Sequence, residues 1–189
     1  MTASRRDDLV KTAVELFYRH GYHATGIEKI LTEAGVSKPT LYRHFDSKDE
    51  LIVAALNRWD GESRAWLEGE MARRGTTPRE QILALFDTLG DWFREPGFQG
   101  CMFINAAVEF ADQDNPIHQA AADHKRQFAA HLRNIVAAAG APAPDELTDR
   151  LMLLMEGAIV TAHTCGNDGA AARAKAMAED LLAQALDKG

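Results

Sequence analysis

Apolar residues recur along most of the chain at the three- and four-residue spacing of amphipathic helices. The first such stretch runs from Arg5 to His20, and Gly21 follows it as a typical helix end. Short breaks containing Gly, Pro or Asn separate the later stretches, and no segment shows the alternation of a β-strand. The pattern predicts an all-α fold of about nine helices. After the third helix, the predicted starts lie near Ser47, Thr77, Cys101, Pro116, Asp145 and Asp168.

The segment between residues 25 and 45 predicts two short helices joined by a sharp turn. Thr25 and Glu28 have the spacing of a capping box, which predicts the start of the first of these helices. Gly35 can adopt the left-handed conformation that turns the chain, and Ser37 can cap the next helix. A helix-turn-helix of this kind places its second helix in the major groove of DNA.

The second helix of this pair is predicted to have one buried face and one polar face. Leu41 and Phe45, four residues apart, are expected to point inward. The other face combines hydrogen-bond donors with small and aromatic side chains, which suits contacts to base edges. Because the turn pattern alone is common, a polar surface without function is the alternative. The outward residues are Lys38, Pro39, Thr40, Tyr42, Arg43 and His44.

Four segments within roughly residues 5–55 form a more specific pattern. They are RHGYHAT at 19–25, AGVS at 34–37, TLYRHF at 40–45 and SKDEL at 47–51. Together they closely resemble the amino-terminal domain of the TetR family of bacterial transcriptional repressors. The rest of the chain is similar to the family in length and helix number, and GCMFINAA at 100–107 resembles a segment of some members.

The resemblance implies which residues of the pair contact DNA. Lys38, Thr40 and Arg43 fall at positions from which they can reach base edges, and Arg43 is the best candidate for a bidentate contact to guanine. The remaining positions are expected to contact phosphates. These are Thr25, Ser37, Tyr42, His44 and Lys48.

The resemblance also implies two domains, a helix-turn-helix DNA-binding domain at residues 1–50 and a ligand-binding and dimerisation domain at residues 51–189. Two recognition helices read a palindromic operator only when they lie about 34–36 Å apart, or a multiple of that distance. A small movement of the core can therefore abolish binding. The expected function is that of a homodimeric repressor released from double-stranded DNA by a small organic ligand.

The two C-terminal helices are predicted to form the dimer surface, because terminal helices with an excess of apolar positions need a partner. The alternative is that these residues pack within one chain, and part of each face must do so. On the first helix the apolar positions are Leu151, Leu154, Met155, Ala158 and Ala162. On the second they are Ala170, Ala174, Met177, Leu181 and Ala185.

Aromatic and methionine side chains on the central helices are candidates for an effector pocket, although plain core is the alternative at helical spacing. They are Trp66, Phe86, Trp92, Phe93, Phe103, Phe110, Phe128, Met152 and Met155. Asn105, Glu109, His131 and His163 could orient a ligand, or hydrogen-bond to one another instead. These residues predict a hydrophobic effector, and Glu109 in an acidic core also indicates a cationic one.

Charge is distributed unevenly along the chain. Residues 1–50 hold eight basic and eight acidic side chains, whereas the remainder holds thirteen and twenty, a net charge of −7. The neutral part is therefore the candidate DNA face, since an acidic surface repels phosphates. Its lack of positive charge supports one alternative, an all-α ligand-binding protein that has lost DNA binding.

Two cysteines, Cys101 and Cys165, fit a reducing cytoplasm. Cys101 begins a predicted helix, where the helix dipole favours a reactive thiolate, so a thiol-based oxidant-sensing repressor is a further alternative.

No enzyme, metal or membrane motif is apparent in the sequence. His118, His124, His131 and His163 lack the spacing of a paired metal site, and there is no phosphate-binding glycine loop or nucleophile elbow. No apolar run reaches the length of a membrane span. We therefore expect a cytoplasmic protein that is not an enzyme and has no metal or cofactor.

Overall fold

The computed structural model describes residues 4–166 and 169–186, which form nine α-helices and no β-strand. The predicted all-α fold of about nine helices is therefore confirmed. Asp168, the predicted start of the last helix, lies outside the described residues. The helices are α1 Arg5–His20, α2 Ile27–Ala34, α3 Lys38–His44, α4 Lys48–Arg74, α5 Pro78–Trp92, α6 Met102–Glu109, α7 Pro116–Ala138, α8 Pro144–Cys165 and α9 Ala170–Leu186.

The chain divides into two compact units. Unit 1 comprises Met1–Glu62 and Met102–His124, and unit 2 comprises Ser63–Cys101 and Lys125–Gly189. Unit 1 thus contains the whole helix-turn-helix together with α6. The functional division predicted at residue 50 stays a prediction.

The core of unit 1 forms where α1 packs on α2 and α3. Leu9 and Phe17 on α1, Ile30 on α2 and Leu41 on α3 are all essentially inaccessible to solvent. These residues occupy the apolar positions of their helical repeats, so burying one face of each helix brings the three helices together. The opposite face of α3 is left to the solvent.

The core of unit 2 forms where α9 packs on both α5 and α8. This packing buries Ala158 and Ala162 of α8 and Ala170 and Ala174 of α9. Small side chains allow helix backbones to approach closely, which explains the alanine-rich faces. These four residues pack within the chain, as the alternative states, whereas Met177 of the same predicted surface is 54% exposed. Leu151 and Met155 are buried like the four alanines. The expectation that the two C-terminal helices form the dimer surface stays a prediction.

The start of α5, predicted near Thr77, is fixed by a capping box between Thr77 and Glu80. The Glu80 amide donates to the Thr77 hydroxyl at 3.3 Å, and the Glu80 carboxylate accepts from the Thr77 amide at 2.9 Å. The Thr76 hydroxyl and the Thr76 amide donate to the same carboxylate oxygen, at 2.6 and 2.8 Å. These donors, the Thr76 hydroxyl foremost, lower the pKa of Glu80 to about 2.

Glu80→Gln is expected to lower thermal stability at neutral pH and to flatten the acid limb of the Tm-versus-pH curve. Because the folded-state pKa lies below the ordinary value of 4.5, the carboxylate stabilises the fold above about pH 4.5. That contribution is lost as the pH falls towards 2. Thermal unfolding between pH 7 and pH 2 measures it. Glu15→Gln, at an exposed position on α1, is the control, and a parallel response of both variants would contradict the prediction.

Candidate nucleic-acid interface

The segment that enters α2 differs from the prediction. Gly26, not Thr25, is the N-cap of α2, and no side chain caps this helix. Thr25 is fully buried, and its hydroxyl donates to the carbonyl of Gly21 at 2.7 Å, with the Leu16 carbonyl at 3.3 Å. The capping-box prediction is therefore wrong, because the hydroxyl satisfies carbonyl groups at the end of α1 instead. This placement does not support the predicted phosphate contact of the Thr25 side chain.

The turn between α2 and α3 follows the sequence-based expectation. Gly35 has φ 62° and ψ 35°, the left-handed conformation that favours glycine. The Val36 amide donates to the Leu31 carbonyl at 3.1 Å, and the Val36 side chain is buried at the corner. Ser37 occupies the predicted N-cap position of α3, but its side chain makes no cap hydrogen bond to the backbone.

Helix α3 buries one face and exposes the other. Leu41 has no exposed surface and Phe45 only 2%. On the outer face, Lys38, Tyr42 and Arg43 are exposed. This arrangement confirms the predicted orientation of the helix and leaves its polar face free to enter a groove. Ser37 is exposed as well, whereas Thr40 and His44 are half-buried.

Several polar groups of α3 have partners in the free protein. The Lys38 ammonium lies 2.6 Å from the Glu28 carboxylate of α2, and this hydrogen bond raises the pKa of Lys38. The hydroxyls of Ser37 and Thr40 lie 2.8 Å apart. Because all these pairs are exposed to solvent or nearly so, DNA can replace the partners at small cost. Among the described residues, Arg43 has no ion-pair partner, so its guanidinium needs no such exchange.

Lys48 is the first residue of α4 and lies beside the loop that joins α1 to α2. Its ammonium donates to the Tyr22 carbonyl at 2.6 Å. Ser47 accepts from the Glu50 amide at 3.1 Å, which is one half of a capping box. The other half differs, because the Glu50 carboxylate accepts from the Asp46 amide at 2.6 Å. A lysine held at a helix start, near free backbone N–H groups, is well placed for a phosphate.

Glu109 is the residue whose role the sequence reasoning missed. Its carboxylate accepts from the Tyr22 amide at 2.9 Å and from the His23 amide at 2.7 Å. The expectation that Glu109 orients an effector is not supported, because both its oxygens bind this loop. The partners lie 86 and 87 residues away in sequence, so no local pattern could have revealed them.

The other predicted effector residues of unit 1 pack against neighbouring rings. Phe103 is buried and stacks on the His124 ring, with 3.6 Å between the ring centroids. Phe110 packs against the rings of Tyr22 and His23, at centroid distances of 6.1 and 4.7 Å. Asn105 is half-buried. Phe110 therefore belongs to the same loop contact as Glu109.

The predicted effector residues of unit 2 differ widely in exposure. Trp66 is 42% exposed, and His163 is also exposed. His131 and Trp92 are half-buried, and His131 Nδ1 lies 3.7 Å from the Glu68 carboxylate. The effector-binding role of these residues stays a prediction. Fully or nearly fully buried are Phe86, Phe93, Phe128, Met152 and Met155.

The two thiols occupy different environments. Cys101 is buried immediately before α6, whereas Cys165 is exposed at the end of α8. Within residues 4–166 and 169–186, no three potential metal ligands cluster together. No helix in that part of the chain combines the length and apolar character that crossing a bilayer requires.

Comparison with known proteins gives matches over both parts of the chain. The family model described as bacterial regulatory proteins, tetR family, matches residues 9–55. The model of the tetracyclin repressor-like C-terminal domain matches residues 78–178. The fold and these matches define a helix-turn-helix transcriptional regulator. The chain belongs to the TetR family.

Two crystal structures are similar over nearly the whole chain. One is a TetR-family transcriptional regulator from Streptomyces coelicolor, 31% identical with a TM-score of 0.87, covering 96% of this chain and 95% of that one. The other is a putative TetR transcriptional regulator from Streptomyces avermitilis, 33% identical with a TM-score of 0.87, covering 97% and 98%. The family fold therefore extends over both units.

A shorter match has higher identity. Over 100 residues the chain is 54% identical to the HTH-type transcriptional activator FasR of Mycolicibacterium smegmatis. The matched segment covers 53% of this chain and 45% of FasR. The match thus spans less than half the length of FasR.

Proposed function

We propose that the protein is a homodimeric repressor that binds a palindromic operator and is released by a small organic effector. The observation that carries this proposal is the geometry of α3, which buries Leu41 and Phe45 and exposes a polar face opposite them. The TetR family consists of regulators that bind DNA as dimers. Because FasR is named an activator, the direction of regulation is itself part of the proposal.

Each residue of the interface receives a role from its chemistry. Arg43 reads a guanine through its two parallel N–H donors, and Lys38 and Thr40 reach neighbouring base edges. The remaining contacts are to phosphates and set the register on the duplex. They are made by Ser37, Tyr42, His44 and Lys48. Thr25 is left out of this set, because its side chain is buried.

The dimer forms through apolar side chains that unit 2 leaves on its surface. Leu153 is 73% exposed and Val160 44% exposed on α8, and Met177 is 54% exposed on α9. Gly157 lies between the first two on the same face and is also exposed. Exposed apolar side chains on neighbouring helices are stabilised when a second copy covers them, and a two-fold axis lets the same surface serve both protomers.

The effector binds within the predicted domain at residues 51–189 and shifts the population towards a state that no longer fits the operator. A hydrophobic molecule is favoured over a cationic one, because the Glu109 carboxylate is occupied by backbone amides. The protein acts in the cytoplasm, where its DNA lies, and we assign it no catalytic step and no cofactor. Oxidant sensing at Cys101 is disfavoured, because that thiol is buried.

Binding to the DNA that flanks its own gene tests this function. Fluorescence anisotropy across a salt series compares that duplex with a scrambled duplex of the same composition. We expect binding to the native duplex at least about a thousandfold tighter, and a steep loss of affinity with salt. Small apolar molecules added to the complex should then release the protein. Equal weak binding to both duplexes would contradict an operator at this locus.

Lys48→Ala is expected to weaken binding to operator and scrambled duplexes alike. Loss of one phosphate contact lowers the slope of log affinity against log salt concentration by about one unit. The same anisotropy titrations between low and physiological salt measure the slope. Lys11→Ala, at an exposed position on α1, serves as the charge-matched control. A slope unchanged from the wild type would show that Lys48 makes no phosphate contact.

A further inference from the structure

The loop between α1 and α2 is held by a carboxylate from a distant helix. Glu109, the last residue of α6, accepts from the Tyr22 amide with both oxygens, at 2.9 and 3.1 Å, and from the His23 amide at 2.7 Å. Hydrogen bonds to an ionised acceptor are roughly twice as strong as those between neutral groups. The carboxylate therefore fixes the backbone of the loop.

Gly21 makes this close approach possible. It has φ +83°, and a Cβ atom placed there would lie 2.9 Å from the Glu109 carboxylate. Next to it, the Tyr22 side chain is 1% exposed, and its hydroxyl donates to the Met102 carbonyl at 2.8 Å. Both ends of α6 thus hold Tyr22: Met102 at the start binds the Tyr22 hydroxyl, and Glu109 at the end binds the Tyr22 amide.

The same residue also contacts the start of α4. The Tyr22 carbonyl accepts from the Lys48 ammonium at 2.6 Å, so Tyr22 joins Glu109 on its amide side to Lys48 on its carbonyl side. Fixing the Tyr22 backbone fixes the acceptor of the lysine. An ammonium on a flexible four-carbon chain loses much of its freedom when such an acceptor holds it.

We propose that Glu109 is a positioning residue for DNA binding. It orders Tyr22 so that the Tyr22 carbonyl holds the Lys48 ammonium where a DNA phosphate binds. This inference rests on the phosphate contact that the proposed function gives to Lys48. Glu109 thus supports the DNA interface indirectly, through Tyr22 and Lys48, and its carboxylate makes no contact with DNA.

The sign of the effect separates this role from simple electrostatics. A carboxylate in the DNA-binding unit repels phosphates, so removal of its charge alone would tighten binding. The positioning role predicts the opposite, because Glu109→Gln leaves the Tyr22 and His23 amides without a charged acceptor and frees the loop. Glu15→Gln removes the same charge from an exposed position on α1 and shows the purely electrostatic effect.

A double-mutant cycle between Glu109→Gln and Lys48→Ala tests the proposal. Affinities for operator and scrambled duplexes are measured by anisotropy for both single variants and the double variant. Glu109→Gln should weaken binding to both duplexes by about threefold or more, and Lys48→Ala should then cost at least about threefold less than in the wild type. Tyr22→Phe, which loses the hydroxyl but keeps the peptide group, should be additive with Lys48→Ala.

Two results would overturn the proposal. One is additivity of Glu109→Gln with Lys48→Ala, which would reduce Glu109 to a structural residue. The other is tighter DNA binding by Glu109→Gln, matching Glu15→Gln. Phosphate contacts do not depend on the base sequence, so the coupling between Glu109 and Lys48 can be measured on the scrambled duplex even when no operator is found. In that case only the proposed function would fail.

Amide hydrogen exchange without DNA gives an independent measurement. The Tyr22 and His23 amides should be protected in the wild type and in Glu15→Gln, and should lose protection in Glu109→Gln, while amides in the middle of α1 stay protected. Loss of protection throughout α1 would instead mean that the unit unfolds. Unchanged exchange at both amides would also overturn the proposal.

Discussion

Replacing Leu153 and Val160 together with Asp is expected to produce monomers that no longer hold the operator. The two residues lie seven positions apart on one face of α8 and are 73% and 44% exposed, so the substitutions leave the interior of unit 2 intact. In a two-fold interface each protomer brings the same patch, and four carboxylates would meet across it. Loss of the second protomer's helix-turn-helix should weaken operator binding by about 10²–10⁴-fold.

Analytical ultracentrifugation measures the oligomeric state, and anisotropy on the operator measures the affinity. Val108→Asp is the matched control, because Val108 is 74% exposed but lies on α6. The control should remain a dimer and lose far less operator affinity than the Leu153→Asp/Val160→Asp variant, because it adds one charge without touching the proposed interface. If the Leu153→Asp/Val160→Asp variant stays dimeric on the operator, the interface lies elsewhere.

The apolar faces of α8 show why the sequence alone could not select the surface that we propose for the dimer. Helical spacing marks Leu151 and Ala158 as one face, and both are indeed buried, but inside the chain. Leu153 and Val160 lie on another face of the same helix and remain exposed. A pattern of apolar positions indicates that a face will be covered, but it does not show whether the same chain or a second copy covers it.

Elements defined by local chemistry could be predicted from the sequence. The bounds Arg5–His20 of α1 and the capping box at the start of α5 both follow from residues within one or two helical turns. The orientation of α3 is of the same kind, since Leu41 and Phe45 form its buried face by spacing alone. Here local preference and tertiary packing agree.

The failures occurred where a polar group had a choice of partners. Thr25 has the spacing of a cap to Glu28, yet its hydroxyl donates to the carbonyl of Gly21, with the Leu16 carbonyl of α1 at 3.3 Å. Glu109 similarly binds amides 86 and 87 residues away. An unpaired carbonyl or amide is costly when it is buried. Polar side chains such as those of Thr25 and Glu109 therefore hydrogen-bond to backbone groups that would otherwise lack a partner. Sequence spacing contains no record of that competition.

Arg43→Ala is expected to weaken binding to the operator by about 1–3 kcal/mol while leaving binding to scrambled DNA nearly unchanged. Arg43 is exposed on the polar face of α3, and none of the described residues forms an ion pair with it. Its guanidinium can therefore reach a base without first giving up an ion-pair partner, unlike the Lys38 ammonium, which lies 2.6 Å from the Glu28 carboxylate. Anisotropy on the two duplexes measures both affinities.

Arg43→Lys separates the reading of a base from the attraction of a charge. Lysine keeps the positive charge and hence the salt slope, but it lacks the planar pair of donors that matches the two acceptors of guanine. Operator affinity should therefore fall with Arg43→Lys almost as far as with Arg43→Ala, and single-base changes at the contacted guanine should no longer matter. Equal losses on operator and scrambled DNA would instead make Arg43 a phosphate contact and leave Lys38 and Thr40 to specify the sequence.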